Sequence, residues 1–352
     1  MKKLAVLFIA IIILLSGCTA SQSRTDATYT QITQEEAKVM MDKNDGHIIV
    51  DVRRQDEYDT GHIPDAVLIP NESIADKQPE ELPNLDQIIL VYCRSGRRSH
   101  EAALKAEKQG LKVWDMKGGI LAYEKAGLPL QRTDTFTTPR GSSVIVTPIG
   151  HASVLLTAGD KHIYVDPVRA QRHHVDWAAL PKADYIFITH EHYDHFDKAA
   201  ISQLTKAGTQ VILNRRCREM LGSGRALGNG DRLSLSEGLT VKAVPAYNTT
   251  AGREKYHPKG RDNGYVLSID GLTLYFSGDT EPIDDMRKLG NIDVVFLPCN
   301  QPFTMTPAQL SEAAMAIRPK VLFPYHFSDT DITEIPRLLG GTGIDIRMRP
   351  YQ

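Results

Sequence analysis

Four apolar residues, Tyr185-Ile186-Phe187-Ile188, run straight into Thr189-His190-Glu191-His192-Tyr193-Asp194-His195, and no other junction restricts the fold as strongly. An unbroken apolar run of this length reads as a strand buried on both faces. Open α/β sheets carry their sites on the loops beyond the carboxyl ends of such strands. Three imidazoles and two carboxylates fall between His190 and His195, in a chain with only 12 histidines among 352 residues, so the cluster is a local concentration. Neutral imidazole and carboxylate suit a borderline divalent metal: zinc, or iron or manganese. In an extended loop, alternate side chains project together. His190 and His192 are then expected to grip one ion, with Asp194 and His195 facing a second position beside it.

The length makes two domains the default expectation. A net charge of −2 with both signs interspersed excludes a nucleic-acid or anionic-membrane surface as the main theme. The amino terminus reads as a targeting segment: basic Met1-Lys2-Lys3, then apolar Leu4 to Leu15, too short to span a bilayer. It ends in Leu15-Ser16-Gly17-Cys18, which resembles a bacterial lipobox. The resemblance implies that residues 1–17 are a lipoprotein signal peptide and that Cys18 is lipidated. Residues 18–28 then form a tether, and the protein is exported and anchored to a bacterial membrane through its lipid. Cys93, Cys217 and Cys299 remain, an odd and scattered set that argues against a disulfide framework.

In residues 29–130, Ile48 to Val52 and Ile88 to Tyr92 read as buried strands. Helical patterns lie between and after them, notably from Ser99 to Gln109, where Gly110 stops the helix. This alternation predicts a parallel α/β sheet. The second strand runs into Cys93-Arg94-Ser95-Gly96-Arg97-Arg98, with the helix beginning at Ser99. A cysteine among three arginines at a helix amino terminus is in the kind of surroundings that favour a thiolate over a thiol. The segment resembles a single rhodanese domain over its whole length. Asp51-Val52-Arg53, Glu57-Tyr58, Gly61-His62-Ile63-Pro64-Asp65-Ala66, the Cys93 loop and Gly118-Gly119-Ile120 stand in that family's order. The resemblance implies that Cys93 is catalytic: it attacks a sulfane sulfur donor, carries a persulfide and passes the sulfur on. Arg98 or Arg94, with Arg97 beside them, would bind an anionic donor. Tyr123 stands where the family usually has tryptophan, and Asp51 and Arg53 are expected to be structural.

Residues 131–142 read as a linker, rich in Thr, Pro, Arg and Gly. From 143 to 352, short strands are expected at Val144 to Val146, Val154 to Leu156, Ile163 to Val165, Gln210 to Leu213 and Leu239 to Val244. A hairpin turning at Asp270-Gly271 and late strands at Val294 to Leu297 and Val321 to Pro324 complete the pattern. Ligand types recur at strand ends: His190, Asp279 and His326. The order resembles the metallo-β-lactamase αβ/βα sandwich. Gly150-His151, Val165-Asp166-Pro167, Ser277-Gly278-Asp279-Thr280 and Phe303-Thr304-Met305 are most similar to the branch holding ascorbate-phosphate lactonase and the phospholipase D acting on N-acyl-phosphatidylethanolamines.

That resemblance implies two divalent metal ions, zinc in the first instance. His190 and His192 would bind one, Asp194 and His195 the other, with Asp279 bridging and His326 completing the second site. Hydrolysis of an ester, lactone or phosphodiester would follow by attack of metal-bound hydroxide, with Asp194 counted in the catalytic set and no protein nucleophile. His151 and Asp166 are expected behind the ligands or beside the substrate, rather than as ligands. The family's third ligand of the first site sits in a Pro-Ala-x-His arrangement, but here Pro245-Ala246-Tyr247-Asn248 puts an amide in its place. Either His257 folds back as a substitute, which is favoured, or the first metal is weakly held. Arg169, Arg172, His173 and His174 lie in a polar excursion expected to be a solvated loop.

The expected partners are a small-molecule or lipid-like substrate, a sulfane sulfur donor and a membrane, with no nucleic acid. An iron-dependent persulfide dioxygenase coupled to the rhodanese domain is the alternative enzyme. A rhodanese domain that only docks is the alternative to sulfur transfer.

Overall fold

A computed structural model describes residues 28–351 except 44, 75–78, 80, 81, 83, 85 and 169–174. The expected signal peptide, Cys18, nearly all of the expected tether and the segment with Arg169, Arg172, His173 and His174 lie outside the described residues. Among the described residues no helix is long and apolar enough to cross a membrane.

The first unit is a five-stranded sheet, all parallel, in the order Thr28–Ile32, Lys112–Met116, Ile88–Tyr92, Ile48–Asp51, Ala66–Leu68. Its inner strands Ile88–Tyr92 and Ile48–Asp51 carry unbroken apolar runs, IILVY and IIV, because both faces are covered there. Val50, Ile89 and Val91 pack one face against Ala102, Ala103 and Ala106 of the helix Arg97–Lys108. Ile49, Leu90 and Tyr92 pack the other against Ala37 of Gln34–Met41 and Ile120 and Tyr123 of Gly119–Lys125. Tyr123 is a buried core residue here. Asp51 and Arg53 form a buried ion pair (Arg53 Nη2 to Asp51 Oδ2, 2.7 Å), and the same Nη2 donates to the carbonyl of Gly61 at 2.6 Å. They tie a strand end to a neighbouring loop.

The second unit stacks two seven-stranded sheets. One runs Arg225–Ala226, Gln210–Leu213, Tyr185–Ile188, Lys161–Val165, Ser153–Ala158, Ser143–Gly150, Asp134–Thr137. The other runs Arg232–Ser236, Leu239–Ala246, Asp262–Ile269, Leu272–Phe276, Val294–Pro298, Val321–Tyr325, Asp345–Ile346. Their inner faces share one core in which Val146, Val165 and Phe187 belong to the first sheet and Leu267, Phe276 and Phe296 to the second. Lys198–Leu204 and Arg215–Leu221 cover the outside of the first sheet, where Ile186, Ile188 and Leu213 meet Ala200, Leu204 and Cys217. Pro307–Ile317 joins the second sheet, its amino terminus fixed by a Thr306–Gln309 capping box. The fold is therefore a rhodanese-like parallel sheet followed by an αβ/βα sandwich.

The expected linker needs correcting. Asp134–Thr137 is a strand that pairs antiparallel with Ser143–Val146 and forms the edge of the first sheet. Its Thr, Pro and Gly content concealed it because an edge strand exposes alternate residues to solvent. Asp134 is also the clasp between the two sheet edges. Its carboxylate accepts from Arg349 Nε (2.8 Å) and Nη2 (2.6 Å) and from Arg347 Nη1 (3.0 Å) near the end of the chain.

The two units meet at Gln131, which bridges His62, and at Leu130, whose N–H reaches the carbonyl of Met348. A cleft of ≈ 1010 Å³ opens between them, walled by Lys38, Met41, Tyr123 and Leu128 on one side and by Phe327 to Thr333 on the other.

Asp134→Ala leaves the 2% exposed Arg349 guanidinium buried without its carboxylate. Removing one partner of such a pair costs about 3–5 kcal/mol, which a urea unfolding midpoint will register.

Candidate metal centre

The loop after Tyr185–Ile188 is pinned at both ends. Thr189 donates from its N–H and its hydroxyl to the two oxygens of the buried Asp166, at 2.8 and 2.6 Å. At the other end Asp197 caps Lys198–Leu204 by accepting from Ala199 and Ala200 N–H, an interaction of about 1 kcal/mol. Between them the loop is not extended throughout, as the simple alternation argument assumed. The carbonyl of His192 accepts from both His195 and Phe196 N–H at 2.9 Å. That turn carries Asp194 and His195 to a second position.

Strand ends of the second sheet bring the other donors. Asp279 follows Ser277-Gly278, where Gly278 has a φ of 63° and a Cβ would lie 2.9 Å from the carbonyl of Asn263, so only glycine fits. His326 follows Val321–Tyr325. It has a φ of 47° and donates its N–H to the carbonyl of His151 (3.1 Å), itself at a φ of 53°. Non-glycine residues held in this region store strain, and they cluster at functional sites.

Two donor groups result. His190, His192 and His257 form one, with 3.0 Å between His190 Nε2 and His192 Nδ1. His151, Asp194, His195 and His326 form the other, with His326 Nε2 3.4 Å from Asp194 Oδ2. Asp279 stands between them: Oδ2 lies 3.4 Å from His257 Nε2 and 3.6 Å from His326 Nε2, while Oδ1 lies 3.2 Å from His195 Nε2. Two donors held by one ion at about 2.1 Å are roughly 3–3.5 Å apart, so these separations match edges of a coordination polyhedron.

Other observations also fit a metal. Asp279 Oδ1, His195 Nε2 and both ring nitrogens of His326 are buried without a hydrogen-bond partner. Burial works against the charge on Asp279, yet His326 and His195 hold its carboxyl well below the usual range. Burial likewise opposes charge on Asp194, and the contact from His151 with His326 and His195 close by holds its carboxyl well below the usual range. Burial lowers His190 and His192 and favours the neutral rings that a metal needs. His195 is raised despite burial because Asp279 and Asp166 face it. The centre is a place where anionic carboxylates require a cation.

The outer nitrogens of two rings are oriented by carboxylates. His195 Nδ1 meets Asp166 Oδ2 at 2.8 Å, and His257 Nδ1 meets Asp262 Oδ2 at 3.1 Å. Arg261 holds Asp262 through Nε (2.7 Å) and Nη2 (2.9 Å) and also pairs with Glu191, which Arg216 engages from the other side at 3.0 Å. Glu191, in the middle of the histidine cluster, is thus committed to arginines.

Asn248 does not enter a donor group. Its Nδ2 donates to the carbonyls of Phe303 (2.7 Å) and Arg253 (3.3 Å), and its backbone N–H donates to the carbonyl of His257 (2.9 Å). The amide shapes the loop that carries His257 to the site. Glu281 pins the start of that loop by accepting the N–H groups of Thr249 (2.7 Å) and Thr250 (2.6 Å). His151 has Nε2 3.2 Å from Asp194 Oδ2, among the residues of the second group. Cys299 is buried, its thiol pushed up to about 12 by burial, and it belongs to the sandwich core.

In the other unit Cys93 ends Ile88–Tyr92 and is 1% exposed, with Gly96 donating its N–H to Sγ at 3.1 Å. Gly119 is required behind it, since a Cβ there would lie 2.3 Å from the carbonyl oxygen of Cys93. The three arginines have separate fates. Arg98 makes a two-pronged pair with Glu57 (2.7 Å each), whose carboxyl it holds down to about 2, and Arg97 pairs with Glu101 at 2.9 Å. Arg94 is exposed and has no ion pair among the described residues.

Asp262 and Glu281 were invisible as site residues in the sequence. One opens a strand and the other follows Asp279, and neither stands in a ligand spacing. The pairing of Asp262 with a histidine five residues earlier was the only available signal.

Residues 145–326 match the description "Beta-lactamase superfamily domain", and residues 33–126 match "Rhodanese-like domain". The first match spans more than half of the chain. The chain belongs to the β-lactamase superfamily. The chain is similar to a UPF0173 metal-dependent hydrolase of Thermococcus kodakarensis, 28% identical over 218 residues, 57% of this chain and 95% of that protein. A counterpart from Pelotomaculum thermopropionicum is 31% identical over 208 residues, 54% of this chain and 86% of that one. A solved structure of a candidate metal-dependent hydrolase from Parabacteroides distasonis superposes with a TM-score of 0.61 at 47% identity, covering 62% of this chain and 99% of that chain.

Asp262→Asn removes the charge that orients His257. Metal affinity at the first group is expected to fall 10–100-fold, the range for a lost outer carboxylate, as measured by chelator competition.

Proposed function

We propose that the protein is a metal-dependent hydrolase holding two divalent ions, with an ester, lactone or phosphodiester as substrate, fused to a rhodanese-type sulfurtransferase. The observation that carries the hydrolase reading is the shared carboxylate of Asp279, within 3.4–3.6 Å of a nitrogen of each donor group. When bound, such a pair of ions activates a water and offsets charge developing on the substrate oxygen. His190, His192 and His257 would hold the first ion, and Asp194, His195 and His326 the second, with Asp279 common to both. Asp166 and Asp262 keep the outer nitrogens of His195 and His257 engaged, which leaves their inner nitrogens free as donors. Zinc suits the histidine-rich first group, while iron or manganese is compatible with the carboxylates of the second. The persulfide dioxygenase alternative calls for one iron held by two histidines and a carboxylate. The third histidine, His257, and the second donor group favour the hydrolase.

For the other domain, the Cys93 thiolate would attack the outer sulfur of a sulfane donor such as thiosulfate and break its S–S bond with release of sulfite. It would carry that sulfur as a persulfide until a nucleophile such as cyanide takes it and frees the thiolate. The Gly96 N–H on Sγ and the open Arg94 support that role, with Arg94 rather than Arg97 or Arg98 meeting an anionic donor.

Stripping the metal with a chelator is expected to abolish hydrolysis across a panel of esters, lactones and phosphodiesters, without changing thiocyanate formation from thiosulfate and cyanide. Cys93→Ala does the reverse, and Arg94→Ala raises KM for thiosulfate severalfold. Oxygen consumption on glutathione persulfide by a one-iron protein would sink the hydrolase reading.

Export and lipid anchoring through Cys18 complete the proposal, and place a small-molecule or lipid-like substrate on the outer side of a bacterial membrane. Cys18→Ser is expected to move the protein from the membrane to the soluble fraction of fractionated cells. Retention of the variant in the membrane would rule the lipid anchor out.

A further inference from the structure

The two donor groups are unequal, and the difference lies in His151. The first group offers His190, His192 and His257 with Asp279. The second offers Asp194, His195 and His326 with Asp279, and His151 stands among them. Its Nε2 is 3.2 Å from Asp194 Oδ2, and its ring centroid is 3.9 Å from that of His326 and 5.9 Å from that of His195. The backbone fixes it there: its carbonyl accepts the N–H of His326 at 3.1 Å, and it keeps a φ of 53°, a conformation costly for histidine.

We propose that His151 is a ligand of the second metal position. It gives that position a fifth protein donor, where the first has four. The proposal rests on the two-metal reading above. Four donors with three imidazoles suit tetrahedral zinc, whereas five donors with two carboxylates suit an ion that accepts five or six ligands, such as iron or manganese. The protein is then a mixed-metal centre by construction, with the geometry of each position set by whether a fifth donor is present.

Cobalt(II) tests this without any turnover, because its visible bands weaken as coordination number rises. The full chain is loaded with cobalt(II) while uptake and absorption are followed. Wild type is expected to take up two ions, the second adding only weak absorption. Three variants are compared: His151→Ala, His151→Gln, which reaches Asp194 with an N–H donor, and His151→Asn, which tolerates the left-handed backbone. All three should bind the second ion at least tenfold more weakly and with stronger visible bands, and circular dichroism reports whether each is folded.

An unchanged second affinity and spectrum in the folded Ala or Asn variant overturns the proposal. So does restoration by His151→Gln, which would make His151 a hydrogen-bond donor that positions Asp194. Uptake of fewer than two ions by wild type overturns the two-metal reading, and this proposal with it.

Discussion

Everything at the centre converges on one carboxylate. Asp279 is 3% exposed and carries a charge that burial alone would not permit, so the surrounding chain has to supply positive charge to it. Histidines from three sources do so: the turn after a strand of one sheet, the end of a strand of the other, and a loop between two strands. The sandwich must therefore bring the edges of both sheets into register before the site exists at all. Asp134 and its two arginines hold the edges of the two sheets together, while Gly278 lets the Asp279 strand end pass close to Asn263.

The strands that bear donors were legible because they are buried on both faces and their apolar runs end at ligand-type residues. Tyr185–Ile188, Leu272–Phe276 and Val321–Tyr325 all have this form. The edge strand Asp134–Thr137 was not legible, because half of its residues face water and its flanks look like a linker. The same contrast holds within the site. His190, His192, Asp194 and His195 declare themselves by spacing. Asp262, which orients His257, is fixed by tertiary contacts that leave no periodic trace in the sequence.

Asn248 shows how a lost ligand type can be absorbed. A neutral amide at this place would be a poor donor to a metal. Its N–H groups close the loop instead, and His257 arrives from nine residues further on to meet His190 and His192. The loop that carries His257 is held in place by Glu281, Asp262 and Arg261.

The cleft between the two units has Phe327 to Thr333 as one wall, and that segment begins immediately after His326. The facing wall belongs to the other enzyme-like domain. The rhodanese-like unit thus forms one side of a cavity whose other side continues, one residue on, into the strand end that carries His326.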